Sequence, residues 1–302
     1  MTRRRFDLIG GLLAVALVAS ACGSGAGGSA GPNGTSGGSP AAALPASATP
    51  DVPAVAASPT VASSQAAPAS PRPTLPPGPL TIVALGDSLT EGDCDDSGAG
   101  YPGRLETLVD SLRPGSRILN LGKSGWSTTD LINGVNGNPS QLTQAVAAHP
   151  DVALVWIGSN DLWNLYEYGP EPMTVDAEQV DLAAYSTGLD TILSRLTGGG
   201  ASIFIALLDD QSKRPMVADP NPTEPALPAT TTADLARMSD HIKAYNDIIR
   251  NKAVRYGAVT VDFYSTSIFT TPATLCSDGN HPNAAGYDRV AQIWFEALRP
   301  QL

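Results

Sequence analysis

Short apolar runs rich in aliphatic and β-branched residues alternate with longer segments of helical periodicity along the last three quarters of this chain. Uninterrupted apolar runs are typical of strands buried on both faces, and strands that alternate with helices form a parallel sheet. The pattern therefore predicts an α/β fold, a three-layer α/β/α sandwich around a mainly parallel five-stranded sheet. The predicted strands cover residues 80–85, 117–121, 152–157, 202–208 and 258–263. The predicted helices cover residues 101–112, 127–132, 141–148, 180–196, 233–256 and 284–298.

Two long segments without a helix or strand pattern follow predicted strands, at residues 162–176 and 209–232. Long loops at the carboxyl edge of a parallel sheet usually serve binding. The first segment contains Trp163, Tyr166 and Tyr168, and these aromatic side chains either contact a substrate or close a small local core. The sequence leaves both interpretations open.

The composition changes sharply before residue 80. Gly, Pro, Ser, Ala and Thr supply 48 of the 57 residues from 23 to 79. The segment has too few large apolar side chains for their burial to offset the conformational entropy lost on ordering. We therefore expect residues 23–79 to form a disordered tether. The remaining residues, 80–302, are enough for one domain with a sizeable core.

Residues 1–22 have the pattern of an export signal. Three arginines at positions 3–5 precede an apolar run over 8–21, and this run of 14 residues is shorter than a membrane-spanning helix, which needs roughly 18–20. The arginines also resemble a twin-arginine signal, but Asp7 departs from that pattern. The sequence therefore predicts an exported protein and leaves the export route, general secretory or twin-arginine, open.

The export signal ends in ASAC (19–22), with small residues before a lone cysteine. This motif resembles the lipobox of bacterial lipoproteins, although Ala19 stands where leucine is preferred. The resemblance implies a lipid on Cys22 and a protein anchored to the cell membrane, facing outside the cytoplasm. A soluble secreted protein is the alternative.

The charge of the predicted domain is strongly negative. Without the charged residues before position 80, 14 basic and 27 acidic side chains remain, a net charge of −13. Phosphate-binding surfaces are basic, so we expect no nucleic-acid partner. The chain also lacks zinc-type cysteine and histidine spacing and glycine-rich phosphate loops, so we expect no metal or nucleotide cofactor. We interpret Asp93, Asp95 and Asp96 as a solvated acidic rim rather than a cation site.

Four polar motifs lie where the predicted strands end or beyond the last strand. They are GDSL (86–89), NLGKSG (120–125), GSND (158–161) and DGNH (278–281). Each motif alone also fits a turn or a helix cap. Together they supply a serine, a histidine, an aspartate and an asparagine at one edge of the sheet. A nucleophilic serine needs such a base, an orienting acid and donors for an oxyanion.

The spaced motifs resemble those of the SGNH subgroup of GDSL esterases and lipases, over essentially all of residues 80–302. The family blocks stand in this sequence as GDSLTEG (86–92), NLGKSGWST (120–128), GSND (158–161) and DGNH (278–281). The resemblance implies the flavodoxin-like sandwich of that family and a serine hydrolase that needs no cofactor.

The resemblance also assigns roles to individual residues. By the family pattern, Ser88 is the nucleophile, His281 is the base and Asp278 orients that base. The oxyanion hole is formed by the backbone N–H groups of Ser88 and Gly125 and by the side chain of Asn160. The second block contains two glycines, so Gly122 is the alternative to Gly125.

The resemblance implies hydrolysis of a carboxylic ester through an acyl-enzyme. We favour a short-chain or acetyl ester of an envelope or extracellular glycan as the substrate. The alternatives are a lysophospholipid or other lipid ester, and a surface binding module that keeps the fold with a silent site. The oligomeric state stays unknown.

Two cysteines remain once Cys22 is set aside. Cys94 follows the nucleophile loop, and Cys276 precedes the loop of Asp278 and His281. These loops must lie side by side for the serine and the histidine to meet, and an exported domain is found where disulfides persist. We therefore predict a Cys94–Cys276 disulfide, with two separate buried thiols as the alternative.

Overall fold

The computed structural model of the chain describes residues 74–170, 172–218 and 232–302. The predicted export signal, the predicted lipidation site Cys22 and residues 23–73 of the predicted tether lie outside these residues. The last tether residues, 74–79, form no helix or strand, but Leu75 packs against the core and Arg113 Nη1 donates to the Gly78 carbonyl at 3.0 Å. No helix in the described part of the chain is both long and apolar enough to span a bilayer.

The described residues contain five strands: β1 Thr81–Gly86, β2 Arg117–Asn120, β3 Val152–Trp156, β4 Ser202–Leu207 and β5 Val259–Asp262. All pairings are parallel, and the order across the sheet is β2-β1-β3-β4-β5. This arrangement confirms the predicted five-stranded parallel sheet.

The three central strands are buried on both faces. Every residue of β3 and β4, and every residue of β1 after Thr81, is buried, whereas most residues of the edge strands β2 and β5 are partly or fully exposed. A parallel sheet is buried in this way when helices cover both of its faces. The burial pattern therefore confirms the predicted α/β/α sandwich.

The described residues contain nine α-helices: α1 Ser88–Glu91, α2 Gly100–Leu112, α3 Thr128–Asn133, α4 Gln141–Ala147, α5 Ser159–Tyr168, α6 Val175–Gly198, α7 Pro215–Ala218, α8 Thr232–Tyr256 and α9 Ala284–Leu298. Helix α2 packs against α9, and α6 packs against α8. Helix α6 begins five residues earlier than predicted because the Thr174 side chain accepts a hydrogen bond from the Ala177 N–H and caps it.

Helix α5 lies where the sequence predicts a loop, so that prediction is wrong. The segment is rich in Asn, Asp and aromatic residues, which have low helix propensity. Tertiary contacts outweigh that preference, because Leu162 is fully buried and Trp163 and Tyr166 pack against the core. In the second predicted loop, the described residues include a 3-10 turn over Gln211–Lys213 and the short helix α7.

The sheet brings the first and third motif loops together at its carboxyl edge. The last residue of β1, Gly86, pairs with the last residue of β3, Trp156. The loops that follow these two strands therefore begin side by side. Below this edge, the Trp156 ring stacks on Phe263 with centroids 4.2 Å apart and meets Trp294 edge-on at 6.2 Å. This buried aromatic cluster fills the core beneath the carboxyl edge of the sheet.

Candidate active site

Ser88 is the first residue of α1, directly after β1. Asp87 caps this helix, because its Oδ1 accepts a hydrogen bond from the Leu89 N–H at 3.0 Å. Gly86 permits the close approach of chains at this turn, since a Cβ there would lie 2.3 Å from both Thr90 Oγ1 and the Trp156 carbonyl oxygen. The local sequence thus fixes the backbone from which the Ser88 hydroxyl projects.

Ser88, His281 and Asp278 form one hydrogen-bonded chain. Ser88 Oγ lies 3.0 Å from His281 Nε2, and His281 Nδ1 lies 2.7 Å from Asp278 Oδ2. The other Asp278 oxygen accepts hydrogen bonds from the backbone N–H groups of Asn280 and His281, at 2.8 and 3.0 Å. With the hydrogen on Nδ1, the imidazole donates to the carboxylate and accepts from the serine. This is the geometry of a serine activated by a base.

The pKa of Asp278 reflects the same contacts. Partial burial opposes ionisation, but the hydrogen bonds from His281 Nδ1 and from the two backbone amides outweigh it and lower the pKa to about 2. The carboxylate is therefore charged at neutral pH and can stabilise a positive imidazolium.

The loop after β2 contains the two glycines that the sequence leaves open. Gly122 already uses its N–H in a 2.9 Å hydrogen bond to Asn120 Oδ1, and a Cβ on it would lie 2.3 Å from the Glu91 nitrogen. Gly125 has a φ of +77°, a region that favours glycine, and no atom lies within 4 Å of where its Cβ would be. Packing explains Gly122, so Gly125 is the better candidate for an oxyanion donor.

Acidic side chains of the nucleophile loop hold this glycine loop. Glu91 accepts hydrogen bonds from Lys123 Nζ at 2.8 Å and from the Ser124 N–H at 2.5 Å. Asp93 accepts from Ser124 Oγ at 2.7 Å. The residues just before Gly125 are therefore fixed to the chain that follows Ser88.

Asn160 lies in the first turn of α5, with its side-chain amide turned toward the glycine loop. Its Nδ2 donates to the Trp126 carbonyl oxygen at 3.0 Å. A side-chain amide has two N–H donors, and this contact uses one of them. A side-chain N–H of this kind can serve as a donor to an oxyanion.

The structure joins Cys94 and Cys276 in a disulfide, with a Cα–Cα distance of 6.3 Å. Cys94 Sγ lies 3.7 Å from Asp278 Oδ2, and the Cys276 N–H donates to the His281 carbonyl oxygen at 2.9 Å. The disulfide therefore links the nucleophile loop to the loop of the acid and the base.

Comparison with known proteins places this site in a family. The model of the GDSL-like lipase/acylhydrolase family matches residues 84–289, more than half of the chain and a range that includes all four motif loops. The chain belongs to this family. It is therefore an ester hydrolase of the GDSL type.

Individual relatives of this GDSL hydrolase are distant. A multidomain esterase of Ruminococcus flavefaciens is 24% identical over 268 residues, and the alignment covers 78% of this chain but 30% of that esterase. An acetylxylan esterase from Geobacillus stearothermophilus is similar in structure, with a TM-score of 0.50 and 21% identity over 73% of this chain and 95% of that one. TesA gives a TM-score of 0.53 and 17% identity, over 74% and 99% of the two chains. At these identities the structural likeness concerns the fold.

The GDSL hydrolase also contains a buried arginine at the site, Arg214, which the sequence does not single out. Its side chain forms a two-bond ion pair with Asp209, at 2.8 and 2.6 Å, and Nη1 donates to Asn280 Oδ1 at 2.7 Å. The guanidinium carbon also lies 4.7 Å from the centre of the Phe269 ring. Arg214 therefore supports the loop between Asp278 and His281. No local pattern predicts the contact with Asn280, because Arg214 and Asn280 are 66 positions apart in sequence.

The predicted acidic rim of the GDSL hydrolase is wrong for Asp95. This side chain is buried and forms an ion pair with Arg104, and it also accepts hydrogen bonds from Ser97 and from the Gly100 N–H. Burial alone raises the pKa of the Asp95 carboxyl, but the hydrogen bonds from Arg104 and Ser97 outweigh it and hold the pKa far below its usual range. Arg104 lies one turn into α2.

Proposed function

We propose that this GDSL hydrolase cleaves short-chain or acetyl esters through an acyl-enzyme on Ser88. The observation that carries the proposal is the hydrogen-bonded chain of Ser88, His281 and Asp278, with distances of 3.0 and 2.7 Å. The proposed roles are nucleophile, general base and orienting acid, in that order.

In the first half-reaction, Ser88 Oγ adds to the ester carbonyl carbon while His281 Nε2 takes the hydroxyl proton. Asp278 stabilises the imidazolium through its bond to Nδ1. The carbonyl oxygen becomes an oxyanion that accepts from the Ser88 and Gly125 N–H groups and the Asn160 amide. The ester C–O bond then breaks, and the alcohol leaves with the proton from His281.

In the second half-reaction, water replaces the alcohol. His281 Nε2 takes a proton from the water as the water oxygen adds to the acyl carbon. The bond from the acyl carbon to Ser88 Oγ then breaks, and Oγ takes the proton back. The products are the carboxylic acid and the free enzyme, so the cycle needs no cofactor.

The preference for a short acyl group has support from relatives. The acetylxylan esterase has a similar fold, and its name describes an enzyme for an acetyl ester. The multidomain esterase is a distant relative of this chain. A lipid ester is the second candidate, because a lipid on Cys22 would place the domain beside membrane lipids. The two candidate substrates, a small-molecule or glycan ester and a lipid ester, differ in the length of the acyl group. Activity on esters of different acyl length therefore distinguishes them.

The test is hydrolysis of p-nitrophenyl esters by the full chain, with acyl groups from acetate to decanoate. We expect kcat/KM to be highest for acetate or butyrate, and Ser88→Ala to lose about 10⁴-fold or more in kcat. A kcat/KM that increases with acyl length would favour the lipid ester. Undiminished hydrolysis by Ser88→Ala or by His281→Ala would contradict the proposed mechanism.

We also propose that the protein is a lipoprotein anchored at the outer face of the cell membrane through Cys22. The support is the ASAC motif and the long Gly/Pro/Ser/Ala-rich segment that follows it. Cys22→Ala should move the protein from the membrane fraction to the soluble fraction, and mass spectrometry should find a diacylglyceryl group on wild-type Cys22. Wild-type protein in the medium with an unmodified N-terminus would contradict this proposal.

A further inference from the structure

Hydrogen bonds run in both directions between the start of α5 and the start of α3. Asn160 Nδ2 donates to the Trp126 carbonyl oxygen at 3.0 Å. In return, the Thr128 N–H and Thr128 Oγ1 donate to Asp161 Oδ2, at 2.8 and 3.1 Å. Two adjacent residues of α5 therefore contact residues 126 and 128.

The bond from Asn160 to Trp126 decides where the Asn160 amide points. Rotation of the Asn160 amide about its Cβ–Cγ bond would break the hydrogen bond to the Trp126 carbonyl, so this bond limits the direction of the second N–H. A shift of residues 126–128 would turn that second N–H away from the oxyanion. Trp126 itself is buried, so the segment has a defined position.

Asp161 is not needed to form α3. That helix has its own capping box, in which Ser127 Oγ accepts from the Asp130 N–H and Asp130 accepts from the Ser127 N–H. The bonds of Thr128 to Asp161 are additional, and they connect α3 to another helix. Their geometric effect is to hold residues 126–128 against the first turn of α5.

We infer that Asp161 is a positioning residue for the oxyanion hole, which holds residues 126–128 so that the Trp126 carbonyl orients the Asn160 amide. The inference rests on the proposed function, because the Asn160 amide matters to the rate only if an oxyanion forms. Asp161 acts through Asn160 and does not touch the substrate.

The first test measures kcat and KM of the full chain on p-nitrophenyl acetate. Misplacement of a group by about 1 Å costs about 10²-fold in rate, so we expect Asp161→Ala to lower kcat by about that factor with KM changed less than about threefold. Asp161→Asn retains an oxygen that accepts from Thr128 and should keep kcat within about threefold of wild type. Equal losses in the Ala and Asn variants, or an effect on KM alone, would overturn the inference.

A double-mutant cycle separates this inference from the proposed function. Asn160→Ala should lower kcat by about 10²–10³-fold, and adding Asp161→Ala to it should lower kcat by less than about threefold more. Losses that multiply would overturn the inference while leaving the proposed function intact. An Asn160→Ala enzyme with wild-type kcat would instead contradict the proposed oxyanion hole.

Thr128→Val serves as the milder variant if Asp161→Ala does not fold. It removes the Oγ1 bond, keeps the backbone bond and preserves the side-chain shape. We expect a smaller loss of kcat, about threefold to tenfold, with KM unchanged. A wild-type kcat in Thr128→Val, with circular dichroism like that of wild type, would overturn the inference.

Discussion

At the scale of single residues, Asp87 is a carboxyl group with no exposed surface directly before the nucleophile. Burial raises its pKa to about 6, against smaller opposing effects of the Leu89 N–H, Arg214 and His281. Compared with the unfolded chain, the folded protein therefore favours the neutral form of the Asp87 carboxyl group. The stability that this preference contributes is complete below the unfolded pKa of 3.8 and is lost as the pH rises through about 6.

This loss of stability with rising pH should be absent in the isosteric variant Asp87→Asn, because an asparagine side chain does not titrate. Moving the Asp87 pKa from 3.8 to about 6 corresponds to about 3 kcal/mol. The free energy of unfolding of wild type, minus that of Asp87→Asn, should fall by about that amount between pH 4 and pH 7. Urea unfolding of both full chains over this range is the measurement. Parallel pH profiles for the two proteins would show that Asp87 does not titrate as the burial indicates.

At the scale of elements, the disulfide joins two loops that carry the proposed catalytic residues. Cys94 lies beside Asp278, and Cys276 shares a backbone hydrogen bond with His281. Loss of the disulfide should therefore disturb the candidate active site before it disturbs the sheet. By chain entropy, closing a loop with a sequence separation of 182 stabilises the fold by at most on the order of 5 kcal/mol.

We predict that reduction lowers kcat while the secondary structure persists. The measurement is kcat and far-ultraviolet circular dichroism at 25 °C after treatment with a phosphine reductant, with thiol titration of the denatured protein as the control for complete reduction. Full activity with two free thiols at positions 94 and 276, or loss of activity only together with the circular dichroism signal, would refute the prediction.

Local sequence predicts most elements of this fold because the buried strands are uninterrupted apolar runs. The strands at 81–86, 152–156 and 202–207 lie within one residue of the predicted ranges at both ends. Helix α5 escapes such reasoning because its propensity is low and its stability comes from the packing of Leu162, Trp163 and Tyr166.

The residues of the candidate site likewise include some that the sequence predicts and one that it does not. Ser88, Asn160, Asp278 and His281 stand in recognisable motifs, so the sequence singles them out. Arg214 does not, because its burial depends on Asp209, Phe269 and Asn280 meeting in space. Asp209 is five residues from Arg214, but Phe269 and Asn280 belong to a distant part of the chain, so the sequence carries no spacing signal for their contacts.

At the scale of the whole molecule, the proposed nucleophile and base come from opposite ends of the domain. Ser88 and His281 are 193 residues apart in sequence. Helices α2 and α9 pack against each other, and the Tyr287 hydroxyl of α9 donates to the Asp93 carbonyl oxygen at 2.9 Å. Arg104 of α2 also pairs with Asp288 of α9 at 2.7 Å. The complete domain is therefore needed to assemble the site.

The most direct test of the nucleophile is covalent labelling of the full chain by a fluorophosphonate. Ser88 Oγ would attack phosphorus, the P–F bond would break and fluoride would leave, while His281 takes the hydroxyl proton. We predict one adduct per chain, mapped by mass spectrometry to the peptide that contains Ser88. The adduct should be absent in Ser88→Ala. Labelling of another residue in the wild type, or equal labelling of Ser88→Ala, would contradict the assignment of Ser88 as the nucleophile.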